Sequence, residues 1–439
     1  MNRKAFTLIE ILSVLVVVSV LVIISIPSIT DMLEKSKQKS KEEVLEMVKT
    51  AAEMYAIDYK IGLAEPIYIT ELCKNYLSCP IKDPITDNEI TGYLYSRIDK
   101  ANSNAIVYEI VSGTPILLNN TILTTVNNKD ISVNKYAGNG LYKWGDKYIY
   151  RGGFTRSNPD GLATANGYLT DTISGEDVNN FIQVPWETYT SGETCTSESN
   201  KCYRIMGINE DSSINIIRDK GDFSVAFDNV HNTAASNYYS NPSHDYGYSD
   251  LLENEPLSEH SSEYRKTSNF YNAVFAKGGY EDITFSAYNT MLENIDICLN
   301  KYIIIVGLNK TDYDTTPYIK DSCDIFGKSS TKSVFPLKGR KMRLFYSEEY
   351  LNSSTEPTCN AYGQYQCRNQ NYLYKIEPTI SLNSDFRYSW FNKAIDYRGN
   401  LTNFPSYSNT KIRPVVTLKK DLIITSGDGS ASNPYVIAN

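Results

Sequence analysis

Histidine is almost missing from this chain. His231, His244 and His260 are the only three in 439 residues, and all sit in one Asn- and Ser-rich stretch. A Ser–His–Asp arrangement needs an imidazole within reach of a nucleophile, and surface loop is the simpler account of such a stretch. There is no G-x-S-x-G and no H-E-x-x-H. No C-x-x-C occurs and the histidines are not spaced as ligand pairs, which leaves little for zinc. The net charge is −8 with no long basic run, so the broad positive footprint of a nucleic-acid binder is absent. Asp and Glu total 51, and naming any two as a glycosidase pair would be arbitrary. Internal repeats and low-complexity tracts are lacking too. No catalytic residue, metal or cofactor is therefore expected, and nucleic acid is not an expected partner.

What is present describes a folded chain. Hydrophobic residues make up 41% and charged residues 21%, ordinary values that allow a sizeable core. The length suits two or three domains beyond an N-terminal helix. Tyrosine is abundant, 35 against 14 Phe. Tyr offers rigid amphipathic contact area for binding, and a β-rich extracellular domain accounts for the bias equally well.

The first thirty residues carry the strongest pattern. Arg3 and Lys4 precede a small residue, Ala5, and Phe6 opens an apolar stretch whose only charge up to Thr30 is Glu10. A carboxylate inside a membrane helix costs several kcal/mol unless it is neutralised. A secretory signal would have a shorter apolar core and an A-x-A-like site, which the residues after Leu21 do not offer. A plain anchor needs about 20 apolar residues, and Ile11 to Thr30 supplies 20 uncharged ones. That explains the length but neither Glu10 nor Ala5. Arg3 and Lys4 would hold the start in the cytoplasm and place the rest outside.

Lys4-Ala5 followed by Phe6-Thr7-Leu8-Ile9-Glu10 resembles the N-terminus of type IV pilins and pseudopilins, with Ala5 where Gly is usual. The resemblance implies a leader over 1–5, cleaved between Ala5 and Phe6 by a prepilin peptidase that also methylates Phe6. It implies that Glu10 pairs with the terminal amine of a neighbouring subunit during assembly. Pro27 falls where such helices commonly kink. The implied partners are the peptidase, other pilin or pseudopilin subunits and the membrane. The implied location is single-pass in the cell membrane, then a surface filament or pseudopilus.

Past a transmembrane and assembly helix over 6–30, an amphipathic continuation is expected over 31–60. Val44, Val48, Ala51 and Tyr55 fall on one face, widened by Leu45 and Met47, with Glu42, Glu43, Glu46 and Lys49 in water. Gly62 is a plausible stop. Residues 61–112 read as a small pilin-like head. It has a short helix near Glu71 to Tyr76 and strands at Tyr93 to Ile98 and Ala105 to Val111. The phrase Asp83-Pro84-Ile85-Thr86 leading to Gly92-Tyr93 is also similar to pseudopilins of Gram-positive type.

From 113 to 439, brief β runs alternate with turns such as Gly138-Asn139-Gly140 and Gly427-Asp428-Gly429, the mark of a β-rich domain. The clearest strands are Tyr203 to Ile208, Ile214 to Arg218, Tyr302 to Leu308, Arg343 to Tyr346 and Pro414 to Leu418. A five-residue hairpin loop joins the first two. Helices are expected at Tyr264 to Phe275 and Ser286 to Cys298. The fold class is thus α+β, a long N-terminal helix and small β head followed by a large β-rich mixed domain. The hairpin Cys202 to Asp219 and the late stretch Ile412 to Ile437 resemble an extracellular domain of Gram-positive surface proteins. That domain is itself similar to the C-type-lectin-like fold of formylglycine-generating enzymes.

Eight cysteines permit 105 pairings. Outside the cytoplasm thiols tend to form disulfides, and proximity favours Cys73 with Cys79, Cys195 with Cys202, Cys298 with Cys323, and Cys359 with Cys367. Between Cys359 and Cys367 nothing suggests a reactive copper pair, so a structural bridge is expected there. Asp312-Tyr313-Asp314 and Asp428-Gly429-Ser430 are short acidic loops that fall short of a calcium pattern and suit Asx turns. Trp186 and Trp390 suit sugar stacking or, more simply, partial burial. Two functions follow as expectations. One is a minor pilin or pseudopilin displaying a large domain for an extracellular glycan or protein. The alternative is a tethered enzyme or receptor, or a pseudopilin of DNA uptake or secretion.

Overall fold

The computed structural model describes residues 8–102, 104–125, 129–131, 136–156, 173–190, 192–195, 201–226, 269–297, 337–359, 365–375, 379–384, 391–405 and 408–438. They divide into two compact units, one of residues 1–62 and 66–114 and one of 63–65 and 115–439. The architecture is mixed α+β with a large β-rich part.

In the smaller unit, α1 (Leu8–Tyr59) precedes β1 (Ile67–Tyr68), α2 (Ile69–Asn75), β2 (Tyr93–Asp99) and β3 (Ala105–Val111). The strands form one antiparallel sheet in the order β1–β2–β3. The helix covers that sheet with the face its spacing marks: Val48, Ala51 and Ala52 are buried with Ile67, Leu72 and Leu94, and Val44 and Tyr55 pack at the margin. Met47 is instead 48% exposed, because it lies a quarter-turn off the Val48 line. The helix stops at Tyr59, before Gly62, with Lys60 in the left-handed region at φ 55°. Across β2 and β3, Tyr95 donates to Glu109 at 2.6 Å and Arg97 pairs with the same carboxylate. Lys41 of α1 meets Asp83 at 2.9 Å, so the 83–86 phrase is tied to the helix.

Among the described residues no helix is long and apolar enough to cross a membrane. The membrane-spanning helix expected over 6–30 is therefore not found among the described residues, although α1 itself is continuous from Leu8 to Tyr59.

The larger unit opens with α3 (Leu118–Thr124), β4 (Lys129–Asp130), β5 (Gly140–Trp144) and β6 (Lys147–Arg151), followed by a ribbon of β7 (Thr155–Arg156) and β8 (Ile173–Ser174). Next come β9 (Phe181–Gln183), β10 (Tyr203–Ile208), β11 (Ile214–Arg218) and β12 (Ser224–Val225). Then follow α4 (Asn269–Val274), α5 (Tyr280–Phe285), β13 (Ile295–Ile297), β14 (Leu337–Arg340) and α6 (Ser347–Ser353). The chain ends in β15 (Thr379–Ser384), β16 (Phe391–Ile395), β17 (Leu401–Pro405), β18 (Thr410–Lys411), β19 (Val415–Leu418), β20 (Ile424–Ser426) and β21 (Tyr435–Ile437). The nine-stranded sheet runs β20–β21–β9–β10–β6–β5–β4, with β11 joining β10 to β19. Strands β10 and β19 are buried throughout, the polar Arg204 and Thr417 included.

Both strands of the 203–218 hairpin and its loop stand where the pattern put them. Ser286 to Cys298 is not one helix: a 3₁₀ turn covers Ser286–Met291 and β13 follows. Arg343 to Tyr346 is not a strand, and only Arg343 bridges Val415. Its apolar run Leu344-Phe345-Tyr346 leads into α6 instead. Residues 302–308 and 264–268 lie outside the described residues. Residues 63–65 belong to this unit through Leu63 N–H on Thr290 Oγ1 at 3.2 Å and Ile423 N–H on the Ala64 carbonyl at 2.9 Å.

Candidate functional site

A cavity of about 270 Å³ lies against the nine-stranded sheet of the larger unit. Its floor exists because β6 and β10 approach very closely at Gly207, where a Cβ would stand 2.1 Å from the Tyr148 carbonyl oxygen. No other residue fits there without prising the strands apart. Trp144 and Tyr148, from the β5–β6 hairpin, line one side and are half-buried.

The polar floor comes from the β10–β11 hairpin loop and from strands β11 and β19. Asn209 Nδ2 donates to Ser213 Oγ at 2.9 Å and to Asn215 Oδ1 at 3.3 Å, while Asn215 Nδ2 donates to Asn209 Oδ1 at 2.9 Å. Thr417 Oγ1 also donates to Asn215 Oδ1, at 2.7 Å. These bonds fix both carboxamides in one orientation, since each oxygen and nitrogen has an assigned partner.

The opposite wall is an ion pair. Arg343 Nη1 and Nη2 reach the two Glu349 oxygens at 2.8 and 2.6 Å, a bidentate fork, with 7% and 22% of the two side chains exposed. Glu349 Oε2 also accepts the Tyr346 N–H at 2.7 Å. The carboxylate is thereby committed on both oxygens, and the pair contributes no net charge to the cavity. Such a lining can grip a ligand by aromatic faces and neutral hydrogen bonds.

The same unit also holds a buried ionic cluster. Arg204 is fully buried, its Nη atoms 2.9 and 3.0 Å from the Asp177 oxygens and its Nε donating to Asn180 Oδ1 at 2.6 Å. The guanidinium lies 3.7 Å from the Phe181 ring centroid. Asp219 stands 3.6 Å from Arg204 and 2.7 Å from Lys375 Nζ. Burial alone would raise the pKa of both carboxyls. The charge of Arg204 outweighs it at Asp177, and Lys375, Arg204 and Arg413 outweigh it at Asp219, so both end below the usual carboxylate range. At Lys375 burial prevails and pulls the ammonium down.

Of the stretches singled out from sequence, the 202–219 hairpin, the 286–298 and 343–346 segments and the 412–437 stretch contribute residues to this cavity; the described candidate site residues do not. Glu10 lies on the exposed face of α1, and the helix assignment continues through Pro27. Ala5 and Phe6 lie outside the described residues, as do Cys298, Cys323, His231, His244, His260, Asp312, Asp314 and Trp390. Cys73–Cys79, Cys195–Cys202 and Cys359–Cys367 are disulfides. Trp186 packs edge-to-face with Tyr203, Phe285 and Tyr288 at 5.6, 5.5 and 5.8 Å, an aromatic cluster in which it is partly buried. Asp428 Oδ1 accepts the Ser430 N–H at 2.9 Å, an Asx turn. Among the described residues no group of three or more His, Cys, Asp or Glu is placed to hold a metal.

Sequence reading missed Trp144, Tyr148, Arg343 and Glu349. The last two lie six apart in a segment without periodicity, and only a helix start at Ser347 with Glu at its third position hinted at their meeting. No family model, curated protein or solved structure matches this chain.

Proposed function

We propose that this chain is a pilin-like subunit, a minor pilin or pseudopilin, that assembles through its N-terminal helix and displays the larger unit outside the cell as a binding domain. The observation that carries the reading is the uninterrupted motif Lys4-Ala5-Phe6-Thr7-Leu8-Ile9-Glu10 at the head of an apolar stretch. Two features of the structure support it. The far part of α1 packs on a small antiparallel sheet, a compact head on a helical stalk. The near part bares Leu8 at 84% and Ile9 at 76%, with Leu12, Val14 and Leu15 beside them. So large a continuous apolar surface is not stable in water, and a membrane or neighbouring subunits would cover it.

In this reading a prepilin peptidase cuts between Ala5 and Phe6, and the new amine of one subunit neutralises Glu10 of the next within the hydrocarbon layer. The bulk of the larger unit suits a low-copy subunit better than one repeated along a crowded filament.

Mass spectrometry of the mature protein should place the N-terminus at Phe6, carrying one extra methyl. Glu10→Val should still insert and be cleaved, since removing a charge eases insertion, yet fail to enter fibres. An intact Met1, or the variant recovered in fibres at wild-type levels, would overturn the reading.

A further inference from the structure

We infer that the cavity beside β10 receives one uncharged pyranose ring of a glycan. This rests on the reading of the larger unit as a binding domain and names what it binds. Charge comes first. Arg343 and Glu349 neutralise each other, and Lys147 at the rim faces Glu210 at 3.7 Å. A charged ligand would therefore bring an ion into a lining that already balances its own, at a desolvation cost with no counter-ion to offset it.

The carboxamides supply the specificity. As bonded among the described residues, Asn215 Nδ2 uses one of its two hydrogens and Asn209 Oδ1 one of its two lone pairs. That leaves a donor and an acceptor side by side, both fixed in direction. A hydroxyl both donates and accepts, so one sugar hydroxyl, or two neighbouring ones, satisfies the pair. A carboxylate or an ammonium satisfies only half of it.

Trp144 and Tyr148 add the apolar part. Their half-buried rings line the same cavity and match the C–H face that a pyranose presents opposite its hydroxyls. Shape then separates a sugar from a peptide. At about 270 Å³ the space holds a single ring. Strand addition by an extended peptide needs an open sheet edge, whereas β6 is flanked by β5 and β10, and β10 by β6, β9 and β11.

The test uses the full chain in micelles of a phosphocholine detergent, which carries no sugar, and saturation-transfer NMR. The probes are the methyl glycosides of glucose, galactose and N-acetylglucosamine, with glucuronate, sialic acid and a tri-alanine peptide beside them. At least one neutral glycoside should bind saturably, and the charged sugars and peptide should not compete. Asn215→Leu and Trp144→Ala should each weaken binding about tenfold or more. If Trp144→Ala does not fold, Trp144→Phe should show a smaller loss in the same direction. Absence of neutral-glycoside binding, equal binding by the folded variants, or tighter binding of a charged sugar or the peptide would overturn the inference. Processing at Phe6 is read on the same sample. A chain cut at Phe6 that binds no glycoside overturns this inference alone, whereas a chain that binds one but retains Met1 supports it and overturns the pilin reading alone.

Discussion

In the smaller unit the interior is built from Val48, Ala52, Leu72 and Leu94, one aliphatic cluster between a helix and three strands. In the larger unit the most voluminous fully buried side chains are Arg151, Arg204 and Arg413, followed by tyrosines. The difference follows from how much backbone each unit must satisfy without regular structure. A helix and a ladder pair their own N–H and C=O groups, so apolar side chains suffice to fill the space between. Loops, and the ends of helices and strands, leave interior carbonyls in need of donors. Arg151 donates from Nε to the Asn352 carbonyl at 2.7 Å and from Nη2 to that of Ser354 at 2.8 Å. Arg413 Nε donates to the Arg218 carbonyl at 2.9 Å, and its Nη1 to that of Leu373. With five donors in a rigid fork, arginine can staple several loops at once.

The comparison can be broken unit by unit, using hydrogen exchange read by mass spectrometry on the intact chain. Arg204→Met should have the largest effect. It leaves Asp177 and Asp219 without the cation between them, which costs about 3–5 kcal/mol for a buried pair. Exchange should accelerate across β9, β10 and β11, and protection in β2 and β3 should not change. Equal loss in both units would mean that they do not differ as described.

Leu72→Ala is the mirror experiment. Leu72 is fully buried, and truncation there should cost about 2–5 kcal/mol through lost burial and a cavity. Here β2, β3 and the far half of α1 should lose protection while β10 keeps it.

Replacing Cys195 and Cys202 together by Ala should cost about 2–3 kcal/mol, since the bridge closes a short loop. The loss should appear as a lower denaturant midpoint for β9 and β10. An unchanged midpoint would show that the ionic cluster alone holds that edge.

Acid sharpens the contrast with the smallest effect near neutrality. Asp177 and Asp219 have folded pKa values below their unfolded ones. Their contribution is complete above the unfolded carboxylate value of about 3.9 and is lost as pH falls through the lower folded values. The larger unit should thus hold its protection to about pH 4 and lose it below. In the smaller unit the depressed carboxylates, Asp83 and Glu109, lie nearer the surface, so screening should leave a shallower slope. Asp219→Asn should flatten the acid slope of the larger unit.

Legibility in the sequence tracked locality. The 203–218 hairpin was readable to the residue because two buried strands flank a five-residue turn, all within reach of one another. Val48 and Ala51 were readable because helical spacing alone selects a face. Ser286 to Cys298 misled, since its apolar residues suit a helix while Leu292 bridges Leu418, and that long-range pairing turns the chain into β13. Arg343 bridging Val415 likewise depends on a partner more than seventy residues away.

By itself, then, the sequence determined the N-terminal motif, the amphipathic helix face and the hairpin, and favoured by proximity the three disulfides the structure shows. Each depends on residues a few positions apart, where spacing fixes geometry. Only the tertiary structure decided the cavity and the ionic cluster. Trp144, Asn215 and Thr417 meet because β5, β11 and β19 belong to one sheet, to which Arg343 is bridged at Val415, and Asp177, Arg204 and Lys375 meet across nearly two hundred residues. No local spacing records such a meeting, because the burial that makes it favourable exists only once the strands have paired.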